Sequence, residues 1–212
     1  MIKKVFGSIL SCDVLSMQSE IDRLVRMGIK GLHLDLMDGH FVERVFLGED
    51  IINRIVVKNP DMFVECHLMV SSPLNSIKHL DISRIDRIVV HQREKLPEIS
   101  EYIGSSGCKL GLAVVNEKEI EGISSTDKLK IDKILIMGVP VGEGGQKMLS
   151  KTKEMIEFAT RRHKDLLIGV DGGVNLSTLG EVQLADEIVL GSCLFSENGE
   201  ETARKIFSYL GL

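Results

Sequence analysis

Short aliphatic runs and amphipathic stretches alternate along the whole chain. The runs Val5 to Leu10, Gly31 to Leu36, Met62 to His67, Arg87 to His91, Lys109 to Val114, Lys133 to Met137, Leu166 to Val170 and Glu187 to Leu190 are rich in Val, Ile and Leu. They predict eight strands. Between them apolar residues recur at helical spacing, as in Ile21, Leu24 and Val25 ahead of Gly28, and in Ala203, Ile206, Phe207 and Leu210. Asn116 with Glu119 three residues on reads as a capping arrangement, and Asn175 as the cap of a helix after the seventh strand.

Strands that are apolar at nearly every position are covered on both faces, which favours parallel pairing. Eight strand and helix repeats then close into a barrel. The predicted fold is therefore α/β, a (β/α)8 TIM barrel, with residues 1–212 as one domain. An open doubly wound sheet is the competing architecture, but no G-x-G-x-x-G turn follows the first run, where a dinucleotide fold would carry one.

Composition narrows the partners. A chain of 212 residues with 43% hydrophobic content can bury one sizeable core, and a net charge of -5 lacks the basic footprint of a nucleic-acid binder. No run approaches the roughly 18 apolar residues of a membrane helix. Cys12, Cys66, Cys108 and Cys193 are scattered, without a C-x-x-C pair, as expected of reduced thiols in a cytoplasmic protein. The expected partner is a small molecule, with no nucleic acid and no membrane.

The candidate chemistry sits where the runs end. In GLHLDLMDG, His33 and Asp35 are two apart and share one face of a strand, while Leu32, Leu34 and Leu36 take the other. A buried imidazole and carboxylate are costly there unless paired or bound to a metal. H-x-D alone also occurs as a hydrogen-bonded structural pair. His67 at the end of the third run and Asp171 at the end of the seventh change the reading, because a barrel gathers its chemistry at the C-terminal ends of its strands. Two imidazoles and two carboxylates suit one divalent ion, Zn²⁺, Fe²⁺, Mn²⁺ or Co²⁺. Asp35 and Asp171 are also placed to flank a substrate as a pair of catalytic carboxylates, one taking a proton next to a carbonyl and the other returning it to the opposite face.

Glycines cluster on three consecutive loops: Gly142, Gly144 and Gly145, then Gly172 and Gly173, then Gly191 beside Ser192. Such loops let backbone N–H groups approach a phosphate closely. Met37, Met69 and Met137 at strand ends are placed to roof the pocket or to pack in the core. Ser8 is a candidate for hydrogen bonding substrate, and His67 for touching it as well as the metal. His91 ends the fourth run and is placed near the mouth, whereas His79 and His163 read as surface residues.

With those residues in place the chain resembles the ribulose-phosphate 3-epimerase family from end to end, through SILSCD, HLDLMDGHFV, HLM, GEGGQKM, VDGGVN and GSCLF. The resemblance implies a TIM barrel, usually oligomeric, that interconverts D-ribulose 5-phosphate and D-xylulose 5-phosphate through an enediolate. It implies metal ligation by His33, Asp35, His67 and Asp171, acid and base roles for Asp35 and Asp171, a phosphate site on the glycine loops, and a cap of Met37, Met69 and Met137.

Two loops depart from the family pattern. Glu43 and Arg44 stand where Pro-Asn is usual, and Val139 to Gln146 reads VPVGEGGQ where Asn-Pro-Gly-Phe-Gly-Gly-Gln is usual. Glu143 near a phosphate would repel it, so it is expected to face solvent or a basic partner. Three alternatives follow. One is epimerisation of another ketose phosphate such as D-allulose 6-phosphate. The second is a related decarboxylase or aldolase, which the methionine in Asp35-Leu36-Met37 disfavours because D-x-K-x-x-D needs a lysine there. The third is a non-catalytic sugar-phosphate binder.

Overall fold

The computed structural model describes residues 2–128 and 130–212. Its strands are β1 (Lys4–Ser8), β2 (Gly31–Asp38), β3 (Val45–Phe46), β4 (Phe63–Met69), β5 (Arg87–Val90), β6 (Lys109–Val114), β7 (Lys133–Met137), β8 (Leu167–Asp171) and β9 (Glu187–Leu190). All except β3 pair in parallel, each with its neighbour, and the β1 pairings with β2 and β9 close the ring. The result is the (β/α)8 barrel. Its helices are α1 (Met17–Arg26), α2 (Glu49–Lys58), α3 (Pro73–His79), α4 (Leu96–Ile103), α5 (Glu117–Glu121), α6 (Ser125–Lys128), α7 (Thr152–Arg162) and α8 (Gly199–Leu210).

Alternation along the strands sorts the side chains. Leu32, Leu34 and Leu36 of β2 join the main apolar core with Val64, Cys66 and Leu68 of β4, Ile21 and Leu24 of α1, and Ala203 and Ile206 of α8. The intervening residues face the barrel axis. In the parallel register of β2 and β4, His33 lies opposite Glu65, Asp35 opposite His67, and Met37 opposite Met69. These three rungs run from the floor of the barrel to its mouth.

The floor is ionic. Lys133 Nζ lies 2.8 Å from Glu65 Oε2 and 2.9 Å from Glu187 Oε2, and Arg87 Nη1 lies 2.6 Å and 2.8 Å from the same two carboxylates. All four residues are buried. Each charge is compensated by hydrogen-bonded partners, which is the condition for keeping charges in a low-dielectric interior.

Several boundaries differ from the sequence pattern for local reasons. β1 stops at Ser8 because the Ser8 hydroxyl accepts from the Leu10 N–H and caps a single 3₁₀ turn, Ile9–Ser11. β2 runs on to Asp38 because Met37 and Asp38 pair with antiparallel β3. Val25, placed on the apolar face of α1, is 50% exposed. The helix expected after the seventh barrel strand is a 3₁₀ turn, Leu179–Glu181. Asn175 Oδ1 there accepts from both the N–H and hydroxyl of Ser177, forming an Asx turn in place of a helix cap. The Asn116 cap is present as read, with Asn116 Oδ1 accepting from the Glu119 N–H at 3.0 Å. No helix among the described residues is long and apolar enough to cross a membrane.

Candidate metal centre and active site

Strands β2, β4 and β8 bring His33, Asp35, His67 and Asp171 together, with one potential ligand atom from each inside a sphere where all lie within 4.8 Å of one another. Asp35 Oδ1 is the hub, 3.1 Å from His67 Nδ1 and 3.3 Å from His33 Nε2. Asp171 Oδ2 is 3.7 Å from His33 Nε2 and 3.8 Å from His67 Nδ1. The second oxygen of Asp35 accepts a hydrogen bond from the Ser8 hydroxyl at 2.9 Å. His33 Nε2 is fully buried and has no hydrogen-bond partner. An unpartnered imidazole nitrogen aimed at two carboxylates is the donor arrangement of a cation site, so these residues fit one divalent ion.

Burial by itself would lower the His33 pKa, but the charge and hydrogen bond of Asp35, the hydrogen bond of Glu65 and the charge of Asp171 outweigh it and raise it to about 10. Burial would raise Asp35, yet the charge and hydrogen bond of His33, followed by those of His67, hold it below the usual carboxylate range. Asp171 moves the other way. Burial raises it, assisted by the negative charge of Asp35 and opposed by His33. The Asp171 side chain retains 17% exposure where that of Asp35 retains 3%, so Asp171 is the more open of the two carboxylates.

That cavity, about 210 Å³, lies above the cluster and is lined by Ser8, Asp35, Asp171 and the three methionines Met37, Met69 and Met137. Gly142, Gly144 and Gly145 after β7, Gly172 and Gly173 after β8, and Gly191 with Ser192 after β9 also line it, and Glu143 borders it from the loop after β7. Gly173 has φ +72°, and a Cβ there would fall 2.6 Å from Met148 N. Only glycine lets the backbone turn at that point. Gln146 braces the loop after β7 by donating to the carbonyls of Pro140 and Glu143 at 2.8 Å and 3.0 Å. Glu143 is exposed. The departures from the family pattern share one groove, lined by Phe41 to Arg44 on one side and Pro140 to Gly144 on the other.

His67 is fully buried and is not among the residues that line the cavity. His163, read as a surface residue, is buried with Nε2 at 2.9 Å from the Ile120 carbonyl. Glu65, which the sequence pattern left aside, and His91, which it placed near the mouth, stand directly behind the imidazoles. Glu65 Oε1 is 3.0 Å from His33 Nδ1, and His91 Nε2 is 2.9 Å from His67 Nε2. Glu65 is two residues before His67 on the same strand, so the same-face rule that selected His33 and Asp35 could have found it.

Fold and site together define a (β/α)8-barrel protein with a four-residue His/Asp cluster that could hold a metal ion beneath a pocket walled in part by glycines. The chain belongs to the ribulose-phosphate 3 epimerase family, whose profile matches residues 4–195. A ribulose-phosphate 3-epimerase of Encephalitozoon cuniculi is 34% identical over 197 residues, covering 92% of this chain and 89% of that protein. The Bacillus subtilis protein of that name is 32% identical, covering 94% and 95%, and a cytoplasmic isoform from Oryza sativa is 31% identical, covering 93% and 90%. Among solved structures, 3-keto-L-gulonate-6-phosphate decarboxylase from Vibrio cholerae superposes with a TM-score of 0.71 at 7% identity over 100% of this chain and 98% of that one. The tryptophan synthase alpha chain of Legionella pneumophila gives 0.66 at 14%, covering 98% and 89%. At these identities the likeness is one of fold alone.

Proposed function

We propose that this protein is a divalent-metal-dependent ribulose-phosphate 3-epimerase that interconverts D-ribulose 5-phosphate and D-xylulose 5-phosphate. The convergence of His33, Asp35, His67 and Asp171 at the barrel mouth, in a chain of this family, carries the reading. When bound, a divalent ion such as Zn²⁺, Fe²⁺, Mn²⁺ or Co²⁺ would supply the positive charge that offsets the negative charge of an enediolate. His33, Asp35, His67 and Asp171 would hold it.

The proton moves on carboxylates. Asp35 and Asp171 stand on strands separated around the ring by β1 and β9, and they serve as the two proton carriers at C3. One removes the proton from one face of the sugar and the other delivers a proton to the opposite face. Both carboxylates border the cavity above the cluster, which is where a pair of proton carriers would meet a substrate. Ser8 orients Asp35 through its free oxygen. The glycine loops and Ser192 offer backbone N–H groups to the phosphate. Met37, Met69 and Met137, all buried, keep water from the reacting carbon. The reading places the enzyme in the cytoplasm, as the Oryza sativa relative is named.

The test is solvent exchange. Metal-replete protein is incubated in D₂O with D-ribulose 5-phosphate and, separately, with D-allulose 6-phosphate, and deuterium at C3 is followed by NMR. Exchange with epimer formation in the pentulose phosphate is the expected result. Exchange only in the hexulose phosphate would move the substrate to the longer sugar, and none in either, with metal bound, would overturn the epimerase reading.

A further inference from the structure

The two imidazoles of the cluster each have a second nitrogen, and both second nitrogens are engaged. His33 Nδ1 lies 3.0 Å from Glu65 Oε1, and His67 Nε2 lies 2.9 Å from His91 Nε2. A carboxylate can only accept, so His33 keeps a proton on Nδ1 towards Glu65, and Nε2, which faces Asp35 and Asp171, is the nitrogen that would offer a lone pair to a metal bound there. Two imidazole nitrogens at 2.9 Å require one N–H and one lone pair between them. If His67 Nδ1 offers its lone pair to the cluster, its Nε2 carries the hydrogen and His91 Nε2 accepts it.

We infer that Glu65 and His91 are positioning residues that lock His33 and His67 in the tautomers presenting Nε2 and Nδ1, respectively, to the metal. The inference rests on the metal-dependent reading above and extends it to residues that touch neither metal nor substrate.

Both props are themselves fixed. Glu65 cannot rotate away without breaking its contacts to Lys133 Nζ at 2.9 Å and 2.8 Å and to Arg87 Nη1 at 2.6 Å, so the ionic floor of the barrel anchors the His33 ring. The His91 ring is in contact with two others, stacked on the His67 ring at 5.0 Å between centroids and tilted against the Phe41 ring at 5.0 Å. Phe41 belongs to the segment after β2 that carries the family departures Glu43 and Arg44, so a change there reaches a ligand imidazole through a single intervening ring. Partners of this kind orient ligating histidines, and their loss typically weakens metal binding about 10- to 100-fold.

The experiment compares wild type, His91→Phe, His91→Gln, Glu65→Gln and His67→Ala, each stripped of metal and titrated with Zn²⁺ against a chromophoric chelator. His91→Phe keeps the ring stack and removes the acceptor, while His91→Gln keeps an acceptor. Expected is a Zn²⁺ dissociation constant about 10- to 100-fold weaker in His91→Phe, with partial recovery in His91→Gln. Histidine ¹⁵N spectra of the Zn²⁺-loaded wild type should assign the hydrogen to Nδ1 of His33 and Nε2 of His67. Glu65→Gln removes charge from the floor and risks folding, so its titration counts only beside a native circular dichroism spectrum. Wild-type affinity in folded His91→Phe, or the opposite tautomers, would overturn the inference while leaving the metal site standing. Equal and negligible Zn²⁺ binding by wild type and His67→Ala would instead overturn the metal reading, and the inference with it.

Discussion

The Ser8 hydroxyl donates to Asp35 Oδ2 at 2.9 Å, and in doing so divides the two oxygens of that carboxylate. Oδ1 is left to the imidazoles at 3.1 Å and 3.3 Å. The same hydroxyl accepts from the Leu10 N–H, so one side chain both ends a strand and orients a buried charge. Ser8→Ala should lower turnover about 10-fold, equivalent to about 1.4 kcal/mol in barrier. It should also cost about 1–3 kcal/mol of stability from a lost hydrogen bond to a charged group. Steady-state kinetics and urea unfolding check the two effects, and unchanged kinetics would remove Ser8 from the site.

Replacing one carboxylate should uncouple exchange from epimerisation. Asp35→Asn and Asp171→Asn keep the side-chain shape and remove a proton acceptor, so net epimerisation should fall by at least about 10²-fold. Each variant should still wash deuterium from D₂O into the one epimer served by the remaining carboxylate. NMR of C3 from each epimer reads this directly. Near-normal epimerisation in either variant would sink the two-carboxylate mechanism.

Exhaustive chelation should abolish turnover, and adding back one equivalent of a divalent ion should restore it. His67→Ala should lose metal and activity together, because Nδ1 of His67 is one of four converging ligand atoms. Metal analysis alongside kinetics checks the pair. Full activity after verified removal of metal would contradict the site.

Gly173→Ala should strain the phosphate loop. The position has φ +72°, and the added methyl would meet the Met148 backbone at 2.6 Å. About 1–3 kcal/mol of stability is at stake from a side chain in the left-handed region. KM for the sugar phosphate should rise more than kcat falls, as expected where the loop holds the phosphate. An unchanged KM would place the phosphate elsewhere.

Asp38 ties the segment after β2 to the loop after β4. Its oxygens accept from the N–H groups of His40, Phe41 and Ser71 at 2.9, 2.8 and 2.8 Å. Burial works against the charge, but those N–H groups outweigh it and bring the pKa from 3.8 to about 2. With the folded value below the unfolded one, the carboxylate stabilises the protein above pH 3.8 and loses that contribution as the pH falls towards about 2. Asp38→Asn should therefore be less stable than wild type near neutral pH, and the gap should close in that acid window. Urea unfolding of both proteins across it checks the sign.

The eight barrel strands, their parallel pairing and the four residues that cluster at the mouth, His33, Asp35, His67 and Asp171, were legible from the sequence. The reason is local: apolar runs mark strands covered on both sides, and the two-residue repeat of a strand sends His33 and Asp35 to one face. The family motifs added the glycine loops and the methionines, which all line one cavity.

Tertiary structure decided what depends on contacts between residues far apart in the chain. The Asx turn at Asn175 replaced an expected helix because its carboxamide oxygen is satisfied two residues on. His163 is buried because the C-terminal end of α7 packs against α5, where its Nε2 lies 2.9 Å from the Ile120 carbonyl. The ionic floor joins Glu65, Arg87, Lys133 and Glu187 from four strands, and nothing in the separate runs states that those charges meet. Pairing of β2 with β4, and of β4 with β5, is also what sets Glu65 behind His33 and His91 behind His67. A sequence can place a residue on a face, but which nitrogen of a histidine faces a cluster is settled by the partner that the neighbouring strand puts at the other one.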